Sequence, residues 1–299
     1  MDMGAAPSQT RYRLVRFVKH RIMRPVFDVY YSVRASELVM DTLVRGEQQW
    51  LTEHPPELSI KERGIIKALS TDGIAITSLT ELGFPEYLER VRAFIASRKT
   101  RSLGLKKKFL EYIWGEGIEP FEPENPFNQL ALEPRVTSLT GAYVNYRPLF
   151  YFTSANRTLP SSVARGSQQW HMDPTSGDKR ILKLFLYVTD VTPENGPFEY
   201  VKRTCRSAKN PVFALARSSY QGVYPKETEL DPSTVEKNLV SAQGPAGTVV
   251  FCDTSGIHRG GFGLAGGRVM ATAAYTSRFS IQGSRFTNSG LYKKTYQLK

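Results

Sequence analysis

The spacing of apolar positions changes part-way along the chain. Up to residue 97 they recur at helical intervals, whereas from Ser138 onward they fall in short β-type runs separated by Gly, Pro, Asn and Asp. On a helical wheel Leu14, Val15, Val18, Ile22 and Val26 share one side, and Arg16, Lys19, His20 and Arg24 share the other. This predicts an amphipathic helix over 11–24, interrupted or ended at Pro25. A second helix is expected over 58–68, with Ser59 as its N-cap and Glu62 completing a capping box. A turn into a short strand follows at 72–77, then a helix over 85–97 with Pro85 in its first turn. Residues 116–134 are rich in Pro and Glu and read as a loop. The β-type runs are 142–146, 149–153, 181–189, 198–201, 248–253 and 269–277. Helices first and strands later imply a mainly β fold, a barrel or sandwich buttressed by flanking helices. The expected division is a basic helical extension over 1–60 and one domain over 61–299, with its β core at about 138–278.

Composition narrows this picture only modestly. With 299 residues, 40% hydrophobic, the chain can bury a full core. No apolar run reaches the roughly 18 residues that a membrane span needs. Arginines and lysines interrupt the N-terminus, which argues against a secretory leader. Cys205 and Cys252 are too few for a disulfide framework and fit reduced thiols in the cytoplasm. The net charge of +12 says more about partners. Six basic residues and no acid lie between Arg98 and Lys108, and residues 11–24 and 278–299 are basic too. Anionic small molecules, anionic lipid surfaces and nucleic acid all suit such clusters, and the stretch 11–24 reads either as a helix packed on the domain with a basic outer face or as a peripheral membrane contact.

The chemistry concentrates at two of the four histidines, His171 and His258, and at the carboxylate of Asp173. In Gln169-Trp170-His171-Met172-Asp173 the histidine and the aspartate are two residues apart. On an extended strand such residues face the same way, so His171 and Asp173 could hold one ion. His258 follows the β run 247–253 and a short turn, and would complete a two-histidine, one-carboxylate facial triad. That set leaves three cis positions on octahedral Fe(II) for a bidentate oxoacid and O2. Ten residues past His258, Arg268 is placed to grip the far carboxylate of 2-oxoglutarate.

At these residues the sequence resembles the phytanoyl-CoA dioxygenase family of Fe(II)/2-oxoglutarate oxygenases. The resemblance rests on Gln169-Trp-His171-Met-Asp173-Pro, on the stretch from Leu182 to Val191 with Glu194-Asn-Gly-Pro-Phe198, and on Gly247 to Asp253 through His258-Arg-Gly-Gly261 to Arg268. Lys202-Arg203-Thr204-Cys205 departs from the Pro-Gly-Ser-His that the family often carries there. The resemblance implies a double-stranded β-helix (a cupin-like jelly roll), with metal ligands His171, Asp173 and His258, and Fe(II), 2-oxoglutarate and O2 as cofactor and co-substrates. Because Asp173 stands where halogenating relatives carry a small residue, it implies hydroxylation with release of succinate and CO2.

Two alternatives remain for the strand at 181–189. If its odd face looks inward, Phe185 borders the co-substrate, and Lys183 or Tyr187 adds a contact to a carboxylate. If its even face does, Leu184, Leu186 and Val188 are the core and Lys183 is solvated. The expected substrate is an anionic small molecule or a lipid- or nucleotide-linked intermediate. Oxidative demethylation of nucleic acid, or binding without catalysis in a cupin-like scaffold, are the competing readings; nucleic acid is disfavoured because no aromatic base-flipping element is identifiable.

Overall fold

The computed structural model describes residues 24–34, 36–102, 109–115, 117, 119–174, 178, 180–208, 211–213, 224–264, 266–281 and 283–286. The lead at 1–10, the amphipathic stretch up to residue 23, residues 103–108 of the basic run and the basic tail past 286 lie outside them. Pro25 stands in the first turn of α1 (Arg24–Arg34), where its missing N–H has no intrahelical partner to lose, and the helix expected before it lies outside the described residues.

Next come α2 (Glu37–Glu53), α3 (Ile60–Asp72), β1 (Ile74–Ser78), α4 (Leu79–Leu82) and α5 (Tyr87–Ala96). The capping box on α3 forms as read: the Glu62 amide donates to Ser59 Oγ at 3.2 Å, and the Ser59 amide donates to Glu62 Oε2 at 2.7 Å. After β2 (Arg101–Ser102) and β3 (Leu110–Trp114) the expected loop over 116–134 contains a helix, α6 (Pro126–Ala131). Asn125 accepts from the Phe127 amide and Pro126 takes the first turn, so the signal for that helix was its cap. The run at 142–146 is likewise not a strand. It is the last turn of α7 (Pro134–Val144), which buries Val136, Leu139 and Tyr143 at helical spacing and ends on left-handed Asn145.

The remaining elements are β4 (Leu149–Thr158), β5 (Leu182–Tyr187), β6 (Phe198–Val201), α8 (Pro232–Asn238), β7 (Leu239–Ala242), β8 (Thr248–Asp253), β9 (His258–Arg259) and β10 (Arg268–Thr276). They build a seven-stranded sheet of order β1-β8-β5-β10-β4-β3-β2 and a three-stranded sheet of order β7-β6-β9, with every named pairing antiparallel. Facing one another, the two sheets make the jelly roll.

In the larger sheet β8 and β10 are buried along their whole length, on both faces. Leu184 and Leu186 of β5, Phe251 of β8 and Ala273 of β10 face the helices, packing in one cluster with Leu69, Val91 and Leu139. Phe185, Tyr187, Val250 and Met270 face the smaller sheet and meet Phe198 and Tyr200. This settles the choice at β5: its odd face looks inward. Met40 and Val44 of α2 lie in the same hydrophobic cluster as α3 and the sheet. At the departure from the family pattern, Arg203 holds φ at 59°, the left-handed backbone that a glycine adopts without strain.

Candidate metal centre

The smaller sheet is widened by one more strand-like segment. The His171 amide donates to the His258 carbonyl and the His258 amide to the His171 carbonyl, both at 2.9 Å. Residues that exchange both bonds sit directly opposite with side chains on one face, and the two imidazole centroids are 4.2 Å apart. Met172 points the other way, into a cluster with Val201, Leu230 and Ile257. The alternation returns Asp173 to the face of His171, and its amide is fixed to the Thr254 carbonyl at 2.9 Å. One ligand atom from each of His171, Asp173 and His258 lies within 4.8 Å of the others.

The rings are also oriented. His171 Nδ1 is 2.8 Å from the Gln169 carbonyl oxygen, and His258 Nδ1 is 2.9 Å from that of Gly256. A carbonyl can only accept, so each Nδ1 carries the proton and each Nε2 keeps its lone pair toward the shared space. Burial, then the neighbouring His258, pushes the His171 pKa down to about 4, so its ring is neutral at physiological pH. For Asp173, burial opposes ionisation, but the Lys183 ammonium and His258 outweigh it and hold the carboxyl well below the usual range. Lys183 Nζ is 2.5 Å and His258 Nε2 is 3.5 Å from Asp173 Oδ2. Two imidazoles that turn Nε2 to the shared space and one carboxylate in one corner are a donor set for a divalent transition metal.

The three residues open onto a cavity of about 610 Å³ between the sheets. Lys183, Phe185 and Arg268 all line it. Arg268 is 2% exposed, and its Nη2 donates to the Gly260 carbonyl. Its Nε and Nη1 have no acceptor among the described residues. Burial pushes its pKa down, yet a guanidinium stays charged at neutral pH. A buried cation with two unused donors is costly until an acceptor arrives, and a carboxylate presents two oxygens at the matching spacing. The residues present therefore fit both a metal ion and a dicarboxylate beside it.

Tyr187 is not brought to this space. Its hydroxyl donates to the Ala242 carbonyl at 2.7 Å and accepts from the Phe198 amide at 3.2 Å, which uses it up in the core between the sheets. Trp170 is packing, with the Arg259 guanidinium 4.3 Å over its ring. At Gly261, φ is 58° and a Cβ would strike the Pro197 carbonyl oxygen, so this turn beside the site requires glycine. The sequence reading missed Tyr151, Phe152 and Arg285 on the cavity wall. They join from β4 and from a segment more than a hundred residues later, and no local spacing signals that meeting.

The family model of phytanoyl-CoA dioxygenase matches residues 124–262. No curated protein matches the chain in sequence. Among solved structures, the chain is similar to the epimerase SnoN in complex with Fe3+, alpha ketoglutarate and nogalamycin RO. Identity there is 15%, the TM-score 0.51, and 73% of this chain and 84% of that one are covered. It is similar to HygX from Streptomyces hygroscopicus with nickel and 2-oxoglutarate bound, at 18% identity and TM-score 0.51, covering 75% and 89%. EctD from S. alaskensis with bound Fe gives 16% identity and TM-score 0.51, covering 77% and 81%. At such identities the likeness is one of fold.

Proposed function

We propose that the chain, whose residues 124–262 match the phytanoyl-CoA dioxygenase family model, is a non-haem iron, 2-oxoglutarate-dependent dioxygenase of that kind, and we assign its residues accordingly. His171, Asp173 and His258 hold Fe(II) through two Nε2 atoms and a carboxylate oxygen. Arg268 receives the distal carboxylate of 2-oxoglutarate on its unused donors, and Phe185 walls the co-substrate on the apolar side. When bound, iron and 2-oxoglutarate together supply, from dioxygen, the oxidising power that hydroxylates a C–H bond, leaving succinate and CO2. The protein holds the reactants in register and keeps bulk water away from them. The Gln169 and Gly256 carbonyls keep both rings in the ligating tautomer, and Lys183 steadies Asp173 from the opposite sheet.

The substrate is an anionic small molecule. The observation that carries the whole reading is Arg268: a buried guanidinium with two unpartnered donors in the cavity that the three ligands share. Its test is anaerobic. Fe(II) followed by 2-oxoglutarate, added to the apoprotein, should produce a weak visible charge-transfer band that His258→Ala lacks. His171→Ala, Asp173→Ala and His258→Ala should each abolish succinate formation. If metal analysis and the spectrum both show no iron binding, the chain is a binding protein on the same fold.

A cytoplasmic enzyme that touches anionic membrane is supported at α1, where Val26, Val29 and Val33 are 60%, 64% and 58% exposed along one side, following the basic stretch 11–24. No helix among the described residues is long and apolar enough to cross a membrane. Flotation with anionic liposomes should recover the whole chain and lose a chain lacking residues 1–34; equal recovery would end the idea.

A further inference from the structure

The wall of the cavity away from Arg268 carries a second guanidinium. Residues 283–286 return to β4, where the Arg285 amide donates to the Tyr151 carbonyl at 2.8 Å and the Arg285 carbonyl accepts from the Glu119 amide at 3.2 Å. Phe286 anchors the return, its ring centroid 5.1 Å from that of Phe121 and 5.2 Å from that of Phe150. The backbone of Arg285 is thus fixed on both sides.

The side chain is positioned as well. Arg285 Nε donates to Tyr151 Oη at 3.1 Å, and its Cζ lies 4.9 Å from the Tyr151 ring centroid and 5.0 Å from that of Phe152. Stacking holds the plane of a guanidinium while leaving the donors on its edge free. Among the described residues Arg285 makes no ion pair, and its Nη groups make no hydrogen bond. Glu119, its backbone neighbour, gives its carboxylate to Arg101 at 2.8 Å and to the Gly115 amide at 2.9 Å.

Charge points the same way. Lys183, Arg268 and Arg285 line the cavity, and among the described residues Asp173 is the one carboxylate that does. With Fe(II), the 2-oxoglutarate dianion, Asp173 and Arg268 together neutral, Lys183 and Arg285 remain as uncompensated positive charge in a partly enclosed space. Phe152 lies between them, its centroid 5.6 Å from Lys183 Nζ. An acid group at Arg285 is therefore separated from the metal corner by about one aromatic ring and one ammonium group.

We infer that Arg285, stacked on Tyr151 and Phe152, is the subsite that recognises an oxyanion of the substrate, a carboxylate or a phosphate. The inference rests on the functional reading above and adds to it the residue that selects the substrate by charge. Short-chain probes test it in protein saturated with Fe(II) and 2-oxoglutarate without oxygen, so that Arg268 is already occupied. Hexanoate, hexyl phosphate and hexan-1-ol are titrated by calorimetry, with the visible band followed in parallel. The wild-type protein should bind at least one of the anions tenfold or more tightly than the alcohol, and the better anion identifies the oxyanion. Arg285→Gln should bring that ratio close to one, and Arg285→Lys should restore part of it. Tyr151→Phe, which keeps the charge and loses one contact, should reduce the ratio less than Arg285→Gln does. Should Arg285→Gln fail to fold, the ranking of wild type, Arg285→Lys and Tyr151→Phe decides. A ratio unchanged in Arg285→Gln, a wild type that does not distinguish anion from alcohol, or no probe binding at all would overturn the subsite. If the Fe(II)–2-oxoglutarate band never forms in the wild type, the functional reading itself fails and the subsite falls with it. A normal band without an Arg285-dependent preference removes the subsite alone.

Discussion

Each buried charge at the centre of the molecule asks for a particular partner, and Arg268 states its request most plainly. Two of its donors face no acceptor, so a bound carboxylate gains two charge-assisted hydrogen bonds without displacing a protein group. At roughly 1.5 kcal/mol or more for each such bond, Arg268→Ala should raise the KM for 2-oxoglutarate on the order of a hundredfold. The iron content should be unchanged, because Arg268 is no part of the donor set. Arg268→Lys should recover only a fraction, since an ammonium cannot make the two-pronged contact. Steady-state succinate formation against 2-oxoglutarate concentration, with iron measured in the same samples, checks all three expectations. The ligands themselves were legible in the sequence because extended backbone turns a two-residue spacing into a shared face, which is a local rule. Lys183 and Tyr187 show its limit. The rule placed both on one face of β5 but did not say which would reach the cavity, and the Ala242 carbonyl and Phe198 amide claim the tyrosine. Arg285 was illegible for a different reason, because its meeting with Tyr151 depends on a chain return that no periodicity encodes.

Elements that carry their own end signals were readable, and those that depend on packing were not. Ser59 and Glu62 announced α3, and the β-type runs at 198–201 and 248–253 matched the bounds of β6 and β8. The 142–146 run holds the Tyr and Val that suit a strand, yet 142–144 close a helix because Pro134 starts α7 and its apolar side packs into the core it shares with the sheet. The helix α2 went unread altogether, and what secures it is an ion-pair cluster formed in three dimensions. Buried Glu47 accepts from Arg147 Nε at 2.6 Å and Nη2 at 3.1 Å, and Arg278 Nε lies 3.2 Å away. Burial works against ionisation of Glu47, but Arg147 and then Arg278 hold its pKa below the ordinary 4.5. A carboxylate depressed in the folded state contributes stability that is present above its unfolded pKa and is lost as pH falls through the folded one. Glu47→Gln should therefore lower stability at neutral pH by about 2 kcal/mol, the arginines being partly exposed. Below pH 4.5 the difference from wild type should shrink as the wild-type carboxyl takes up its proton. Urea unfolding at a series of pH values measures it; a difference that stays constant down to acid pH would assign the loss to packing instead.

Across the whole molecule, the helices, the larger sheet and the smaller sheet form successive layers, and the metal corner lies where the two sheets face each other. His171 and His258 belong to the smaller sheet, while Lys183, which grips Asp173, belongs to β5 of the larger one. In this arrangement the sheets are joined near the site by that ion pair, by the bonds of the Tyr187 hydroxyl to the Ala242 carbonyl and the Phe198 amide, and by the contact of Phe185 with Phe198, whose ring centroids are 4.7 Å apart. A metal held by His171, Asp173 and His258, with a dicarboxylate reaching from it to Arg268 on β10, adds a connection between the layers that the unfolded chain cannot make. Binding to the folded state alone stabilises it by about 2.7 kcal/mol at a hundredfold excess over Kd. For a domain of this size each kcal/mol moves Tm by roughly 2–4 °C, so Fe(II) with 2-oxoglutarate should raise it by about 5 °C or more under anaerobic conditions. The gain from the pair should exceed that from Fe(II) alone. In Arg268→Ala the extra increment from 2-oxoglutarate should be largely lost, and in His258→Ala both should fail to appear. Scanning fluorimetry without oxygen gives these comparisons directly. A shift that persists in His258→Ala would move the metal to other residues, whereas a shift with Fe(II) that 2-oxoglutarate does not increase would leave Arg268 without the partner assigned to it.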